Sequence, residues 1–170
     1  MNSRCVWSQL GGMDAANEPV RYMERTRDYY QALGYSNDYA WAHHDDAPFA
    51  RLGKPLSQAR IGLITTASPA DFRGGIKQLW SGAVSSPPAT LNTTYLSWDK
   101  ESTHTDDRGS YLPIEVVSEL AAEGVIGGLA ARFHGVPTDY SQRKTLEQDA
   151  PQVLARLRDD GADAALLCPL

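Results

Sequence analysis

Ile61-Gly62-Leu63-Ile64-Thr65-Thr66 decides how this chain of 170 residues folds. It is a short apolar run closed by a hydroxyl pair, and it reads as a strand buried on both faces. A second run, Asp163-Ala164-Ala165-Leu166-Leu167-Cys168-Pro169-Leu170, closes the chain and also reads as a buried strand. Helical patterns lie between the two. Pro113 opens one that carries Ile114, Val117, Leu120 and Ala121 and closes at Gly124. Thr145 to Asp160 carries Leu146, Val153, Leu154 and Leu157 on one face and stops at Gly161. Thr145 with Gln148 resembles a capping box there, or Asp149 caps with Pro151 in the first turn. Strands alternating with helices imply βαβ units and a largely parallel sheet.

Further elements follow outward from these. Residues 17–34 read as a helix with Asn17 as cap, Tyr22, Thr26, Tyr29, Tyr30 and Leu33 at helical spacing, and Gly34 as stop. Residues 35–58 are irregular, and residues 67–89 form a long loop with a short helix near Ile76 to Trp80. Leu91 to Trp98 is rich in β-formers and is expected to be a strand, as is Val125 to Ala130, though glycines weaken it. The expected organisation is a flexible extension over 1–16, with Met13 as an alternative start, and one α/β domain over 17–170. Its layered, mostly parallel sheet would be flavodoxin-like or Rossmann-like.

Composition bounds the function. Apolar residues make up 42% and charged residues 22%, ordinary for a globular chain. The net charge of −5 and the scattered basic residues argue against nucleic acid or an anionic membrane as partner. No stretch reaches the about 18 apolar residues of a spanning helix, and no apolar leader opens the chain. Cys5 and Cys168 show no metal or redox spacing, which fits a reducing cytoplasm.

In an open α/β sheet, ligands bind beyond the carboxyl ends of the strands. Thr65 and Thr66 stand at such an end, where a hydroxyl pair suits a carboxylate or phosphate, or simply bonds its own backbone. His134 follows a strand-like run and can exchange a proton near neutral pH, or serve the core. His43, His44, Asp45 and Asp46 form one polar cluster; His104, Asp106 and Asp107 form another. Either could supply metal ligands, but no paired-ligand motif supports a metal, and solvated loops explain both. Cys168, between Leu167 and Pro169, reads as a buried small hydrophobe or as the one nearby thiol.

Several blocks together resemble a known family. These are Val20-Arg21-Tyr22-Met23-Glu24-Arg25-Thr26-Arg27-Asp28-Tyr29-Tyr30, Ala32-Leu33-Gly34-Tyr35, Tyr39-Ala40-Trp41-Ala42, Pro48-Phe49 and Leu52-Gly53-Lys54-Pro55-Leu56. Leu63 to Ala67, His104-Thr105-Asp106, Tyr111-Leu112-Pro113, Glu123 to Gly127 with Leu129-Ala130, and Gly161 to Leu167 continue the pattern. The chain from about residue 19 onward resembles the glycine/sarcosine/betaine/D-proline reductase selenoprotein B family.

The resemblance implies reductive cleavage of a carbon–nitrogen bond in an amino-acid-like substrate by selenol or thiol attack. It also implies an oligomer with other reductase subunits, a pyruvoyl group supplied by a partner, and a thioredoxin-like electron donor. On this reading Thr65, Thr66, His104 and Asp106 hold the substrate, His134 moves a proton, and Cys168 is the nearest thiol. No metal or other cofactor is expected in this chain.

The chain departs from the family pattern at two places. Arg132-Phe133-His134-Gly135-Val136 replaces an aromatic-serine stretch, and Cys168 precedes the nucleophile position, with no selenocysteine in the chain. A non-catalytic binding or assembly subunit, or a metal-dependent hydrolase built on the His/Asp cluster, are the alternatives. A selenocysteine codon read as a stop would explain an end at Leu170. Sequencing the gene past codon 170 tests this: an in-frame continuation carrying selenocysteine or cysteine is expected, and non-coding sequence refutes it.

Overall fold

The computed structural model describes residues 21–36, 43, 45–46, 50–72, 75–97 and 99–170. The chain divides into two units, Met1–Asp46 and Ala47–Leu170. The expected extension over 1–16, the Asn17 cap and residues 37–42 lie outside the described residues. Among the described residues no helix is long and apolar enough to cross a membrane.

In the first unit, helix α1 spans Tyr22–Ala32, and Gly34 follows at φ +86°. That left-handed backbone is open to glycine at no steric cost and ends the helix. None of the α1 residues is buried. Its aromatic residues pack locally instead: Tyr30 meets Tyr29 and Tyr35 edge-on, at centroid distances of 5.8 and 5.6 Å.

Among the described residues, the second unit forms an open four-stranded sheet in the order β2-β3-β1-β4. Strand β1 is Arg60–Thr65, β2 is Trp80–Ala83, β3 is Gly128–Gly135 and β4 is Ala164–Cys168. Strands β3 and β4 both run parallel to β1, and β2 runs antiparallel to β3. The expected α/β architecture with a mostly parallel sheet is therefore what the chain adopts. The parallel strands stand in the order second-first-third, the order with which a flavodoxin-like sheet begins.

Helix α2 is Ile114–Ala122. A three-residue α3 (Gln142–Lys144), a π-helical stretch over Thr145–Asp149 and α4 (Ala150–Asp159) follow one another without a break. Two faces of the sheet are buried differently. Leu63 and Phe133 point to one face and pack with Ile114 and Val117 of α2, and with Leu91, Tyr111, Leu112 and Ile126. Gly62 points to the other, where a Cβ would lie 2.3 Å from Leu157 Cδ2 of α4. This glycine lets α4 approach β1 closely. Asp163 ties the start of β4 to β1: its Oδ2 accepts from the Arg60 amide at 2.9 Å, and Lys54 pairs with it at 2.8 Å.

The structure corrects four sequence expectations. Leu91 to Trp98 contains no strand among its described residues; Asn92 makes only an isolated bridge to Ser68. The second strand lies instead at Trp80–Ala83, inside the stretch read as a loop with a short helix. The strand expected over Val125 to Ala130 runs over Gly128–Gly135 and carries the polar residues Arg132 and His134, of which His134 is buried. Strand β4 is an edge, with Leu166 and Leu167 41% and 55% exposed, not a buried strand.

Gly127, just before β3, lies against the 56–59 turn, and its amide donates to the Ala59 carbonyl at 2.9 Å. A Cβ there would sit 2.4 Å from the carbonyl carbon of Gln58, which is main chain and cannot swing aside. Gly127→Ala is therefore expected to lower stability by on the order of 2 kcal/mol. Urea denaturation reads this directly, and an unchanged midpoint would contradict the close approach.

Candidate functional site

The carboxyl end of β1 carries a row of buried hydroxyls. Thr65 and Ser68 are fully buried and Thr66 nearly so. In the sheet register Thr65 faces Gly135 of β3 on one side and Cys168 of β4 on the other. This is the crevice between the first and third parallel strands, where connections leave in opposite directions and ligands bind in such sheets.

Main chain holds the two threonine side chains. Thr65 Oγ1 accepts from the Ala67 amide at 3.3 Å, and Thr66 Oγ1 accepts from the Leu170 amide at 2.9 Å. Both hydroxyls act as acceptors, so each keeps its proton to donate. The Tyr95 hydroxyl donates to the Thr66 carbonyl at 2.7 Å. Burial pushes the Tyr95 phenol above its ordinary range, against a smaller opposing effect of the Ser68 hydroxyl, so it stays a donor.

The segment after residue 91 closes over this edge. Ser68 and Asn92 exchange two main-chain hydrogen bonds, at 3.0 and 2.9 Å. Thr93 Oγ1 meets Thr105 Oγ1 at 2.6 Å, which ties the 99–107 segment to the segment after residue 91. His104 and Asp106 flank that contact in sequence. Both are exposed, with His104 Nδ1 at 3.6 Å from Asp106 Oδ2. The structure thus brings Thr65, Thr66 and Cys168 together, and sets His104 and Asp106 on either side of the residue that touches Thr93.

His134 lies elsewhere. It pairs with Ile64, one position before Thr65, so its side chain points to the opposite face of the sheet. There it is 0% exposed in a polar cluster under α4. Ser81 Oγ lies 2.8 Å from His134 Nδ1, and Arg156 NH1 donates to the same oxygen at 2.8 Å. The Asp160 carboxylate on the Nε2 side favours the imidazole proton there, which leaves Nδ1 to accept from the Ser81 hydroxyl. Nε2 faces Asp160 Oδ2 at 3.5 Å, longer than an ordinary hydrogen bond, and has no other partner among the described residues. Arg132 holds the same carboxylate through Nε at 3.0 and 3.1 Å. Burial lowers the His134 pKa from 6.5; the attraction of Asp160 opposes that, and the two arginines add to it.

Ser81, Arg156 and Asp160 escaped the sequence reading. Ser81 lay in an expected loop, and Asp160 read as a helix terminus. The period-2 alternation of Arg132 and His134 with Ala131 and Phe133 was the one available signal.

Cys168 is partly exposed, and among the described residues it is the free cysteine. Burial alone shifts its thiol, upward from 9.0, and no cation is among the causes. A reactive thiolate needs the opposite surroundings. Among the described residues no three His, Cys, Asp or Glu side chains converge as metal ligands. His43 pairs with Asp45 at 3.0 Å in the first unit with both side chains exposed, while His44 lies outside the described residues. Asp107 caps the turn at Arg108–Ser110 by accepting from the Gly109 amide.

Comparison with protein-family models, with curated proteins and with solved structures found no match to this chain.

The thiol surroundings predict slow alkylation. Reaction of Cys168 with iodoacetamide is expected to stay slow through pH 8 and to rise with a midpoint above 9.0. Peptide mass spectrometry after timed labelling measures it at this one cysteine. A midpoint near neutrality would mean that a cation activates the thiol.

Proposed function

We propose that this protein is a component of a reductase of the selenoprotein B kind, acting on a carbon–nitrogen bond of an amino-acid-like substrate. The carboxyl edge between β1 and β4 is its substrate-binding end. The resemblance of the sequence suggests the chemistry. The observation that carries the assignment to this edge is the hydrogen bond from the Leu170 amide to Thr66 Oγ1. It sets the end of the chain beside Thr66, which follows Thr65 at the end of β1, and in the family that the sequence resembles the attacking group comes after the last strand.

Thr65 and Thr66 are suited to a substrate carboxylate. Each accepts from a main-chain amide and keeps one proton to donate, and a hydrogen bond to an ionised carboxylate is stronger than one to a neutral group. Cys168 is poorly suited to the attack, because burial holds its thiol protonated. The selenol or low-pKa thiol, the pyruvoyl group and the thioredoxin-like donor would come from outside these residues. His104 and Asp106, exposed on the segment docked through Thr105, are candidates to reach a bound substrate from the solvent side.

A second reading has its own support. Among the described residues strand β4 has a neighbour on one side only, and it exposes Leu166 and Leu167. An uncharged apolar edge is a place for another chain to pair. A non-catalytic assembly subunit would use that edge and leave the hydroxyls without a small ligand.

Calorimetry separates the two. Glycine, sarcosine, betaine and D-proline are titrated into the protein and into Thr66→Val. Binding of at least one, weakened about tenfold in the variant as expected for a lost bond to a charged group, supports the reductase component. Absence of binding by all four removes it in favour of the assembly reading.

A further inference from the structure

We propose that β2 is a strap over the carboxyl edge, latched to α4 through the Ser81–His134–Arg156 cluster and released when His134 takes up a proton. Strand β2 is four residues long and lies at the edge of the sheet, paired among the described residues with β3 alone. Short edge strands open readily unless side chains hold them. Both faces of this one are held by side chains.

On one face Trp80 reaches over Gly135. A Cβ at Gly135 would lie 1.8 Å from the indole Nε1, so the ring occupies the place of a side chain. The indole donates to the Ala67 carbonyl at 3.1 Å and meets the Phe133 ring edge-on at 5.3 Å. Gly135 is the register partner of Thr65. Trp80 therefore covers the β3 side of the hydroxyl row, and that row becomes more accessible when β2 lifts.

On the other face is the latch. Arg156 NH1 donates to Ser81 Oγ at 2.8 Å, and NH2 donates to the Leu79 carbonyl at 3.3 Å. Ser81 Oγ lies 2.8 Å from His134 Nδ1, and with the imidazole proton on Nε2, toward Asp160, Nδ1 is the acceptor of the Ser81 hydroxyl. Every donor in this chain has an acceptor only while Nδ1 is unprotonated. The charges that face the imidazole are Arg132 from its own strand, with Arg156 and Asp160 from α4 and its terminus. Its neighbours Ile64 on β1 and Ser81 on β2 are neutral, and Arg60 NH1 reaches only the Asp160 carbonyl, at 3.2 Å.

Protonation changes two things together. Nδ1 becomes a donor aimed at a hydroxyl oxygen that already accepts from Arg156, and the Ser81 proton loses its acceptor. A third positive charge also joins two guanidinium groups around one carboxylate. The Asp160 attraction offsets part of this. His134 and Asp160 are themselves buried or nearly so, and lifting β2 from α4 relieves the rest.

The sign of the pH effect follows. Folding disfavours the His134 cation, so the opened strand binds a proton that the closed one does not. Opening is thus favoured as pH falls below the ordinary imidazole value of 6.5 and levels off below the folded-state value. With one proton involved, the opening constant rises by at most about tenfold per pH unit.

Amide hydrogen exchange of the ligand-free protein between pH 7.5 and 5.5, corrected for intrinsic rates, tests this. Protection at Trp80–Ala83 is expected to lie below that of Leu63 and Ile64 at every pH, and to fall by up to about tenfold per unit below 6.5. His134→Gln is expected to flatten that fall. The proposal is overturned if β2 exchanges together with β1 throughout, if its protection does not fall, or if His134→Gln falls equally. Should His134→Gln not fold, Ser81→Ala replaces it. It is expected to lower β2 protection relative to β1 at pH 7.5, and an unchanged ratio overturns the latch.

Only the effect on ligand access rests on the function proposed above. Exchange is measured without ligand, so a failed latch and a failed substrate assignment give separate results.

Discussion

Strand β1 has no free edge and no free face, and the rest of the second unit is arranged around that constraint. Its amides and carbonyls pair with β3 on one side and β4 on the other. Leu63 is buried toward α2, and Gly62 admits Leu157 of α4 on the other face. A strand so enclosed cannot shift register without turning its apolar set toward polar surroundings. Its carboxyl end is therefore a rigid point. The Thr65 and Thr66 hydroxyls inherit that rigidity, because main-chain amides hold them, and rigid elements position binding groups better than loops do.

The same alternation separates the polar chemistry of the protein into two places. Thr65 and His134 are one register step apart across neighbouring strands, yet they face opposite layers. Above the carboxyl edge is a neutral row of hydroxyls. Under α4 is a charged cluster with two arginines, one carboxylate and an imidazole. A buried charge cluster is costly unless each member is paired, and here Asp160 is the common partner of Arg132 and His134. Its Nε2 contact is the loose one, so the imidazole is the member whose state can change.

The two edges of the sheet are treated differently. Strand β2 is short and antiparallel, and it is fastened by an indole on one face and a guanidinium on the other. Strand β4 has neither fastening on its outer side among the described residues, and it exposes two leucines. Its inner side is tied at both ends, through Asp163 to Arg60 at the start and through Leu170 to Thr66 at the finish. Leu170 also packs against the main core. The strand is thus fixed in place while its outer edge stays open.

Much of this fold was legible in the residues. The apolar runs at Ile61–Thr66 and Ala164–Leu167, with helices stopped by Gly124 and Gly161, are enough to require a largely parallel sheet. Both glycines sit at positive φ, +74° and +68°, which is a local property that the residue type announces. Thr65 and Thr66 could be placed at a carboxyl strand end for the same local reason.

Tertiary structure decided the rest. Trp80–Ala83 lacks the length and apolar content to declare itself a strand, and it exists because β3 offers a free edge and Gly82 and Gly135 admit the rings of Phe133 and Trp80. Leu91–Trp98 has strand-forming residues but no described neighbour to pair with beyond the single bridge at Asn92. Whether β4 is central or an edge depends on what lies beside it, which its own sequence does not encode. The meeting of Ser81, His134, Arg156 and Asp160, up to 79 positions apart in the chain, follows from strand order and helix placement alone. Propensity acts over a few residues, whereas pairing and burial act across the whole unit.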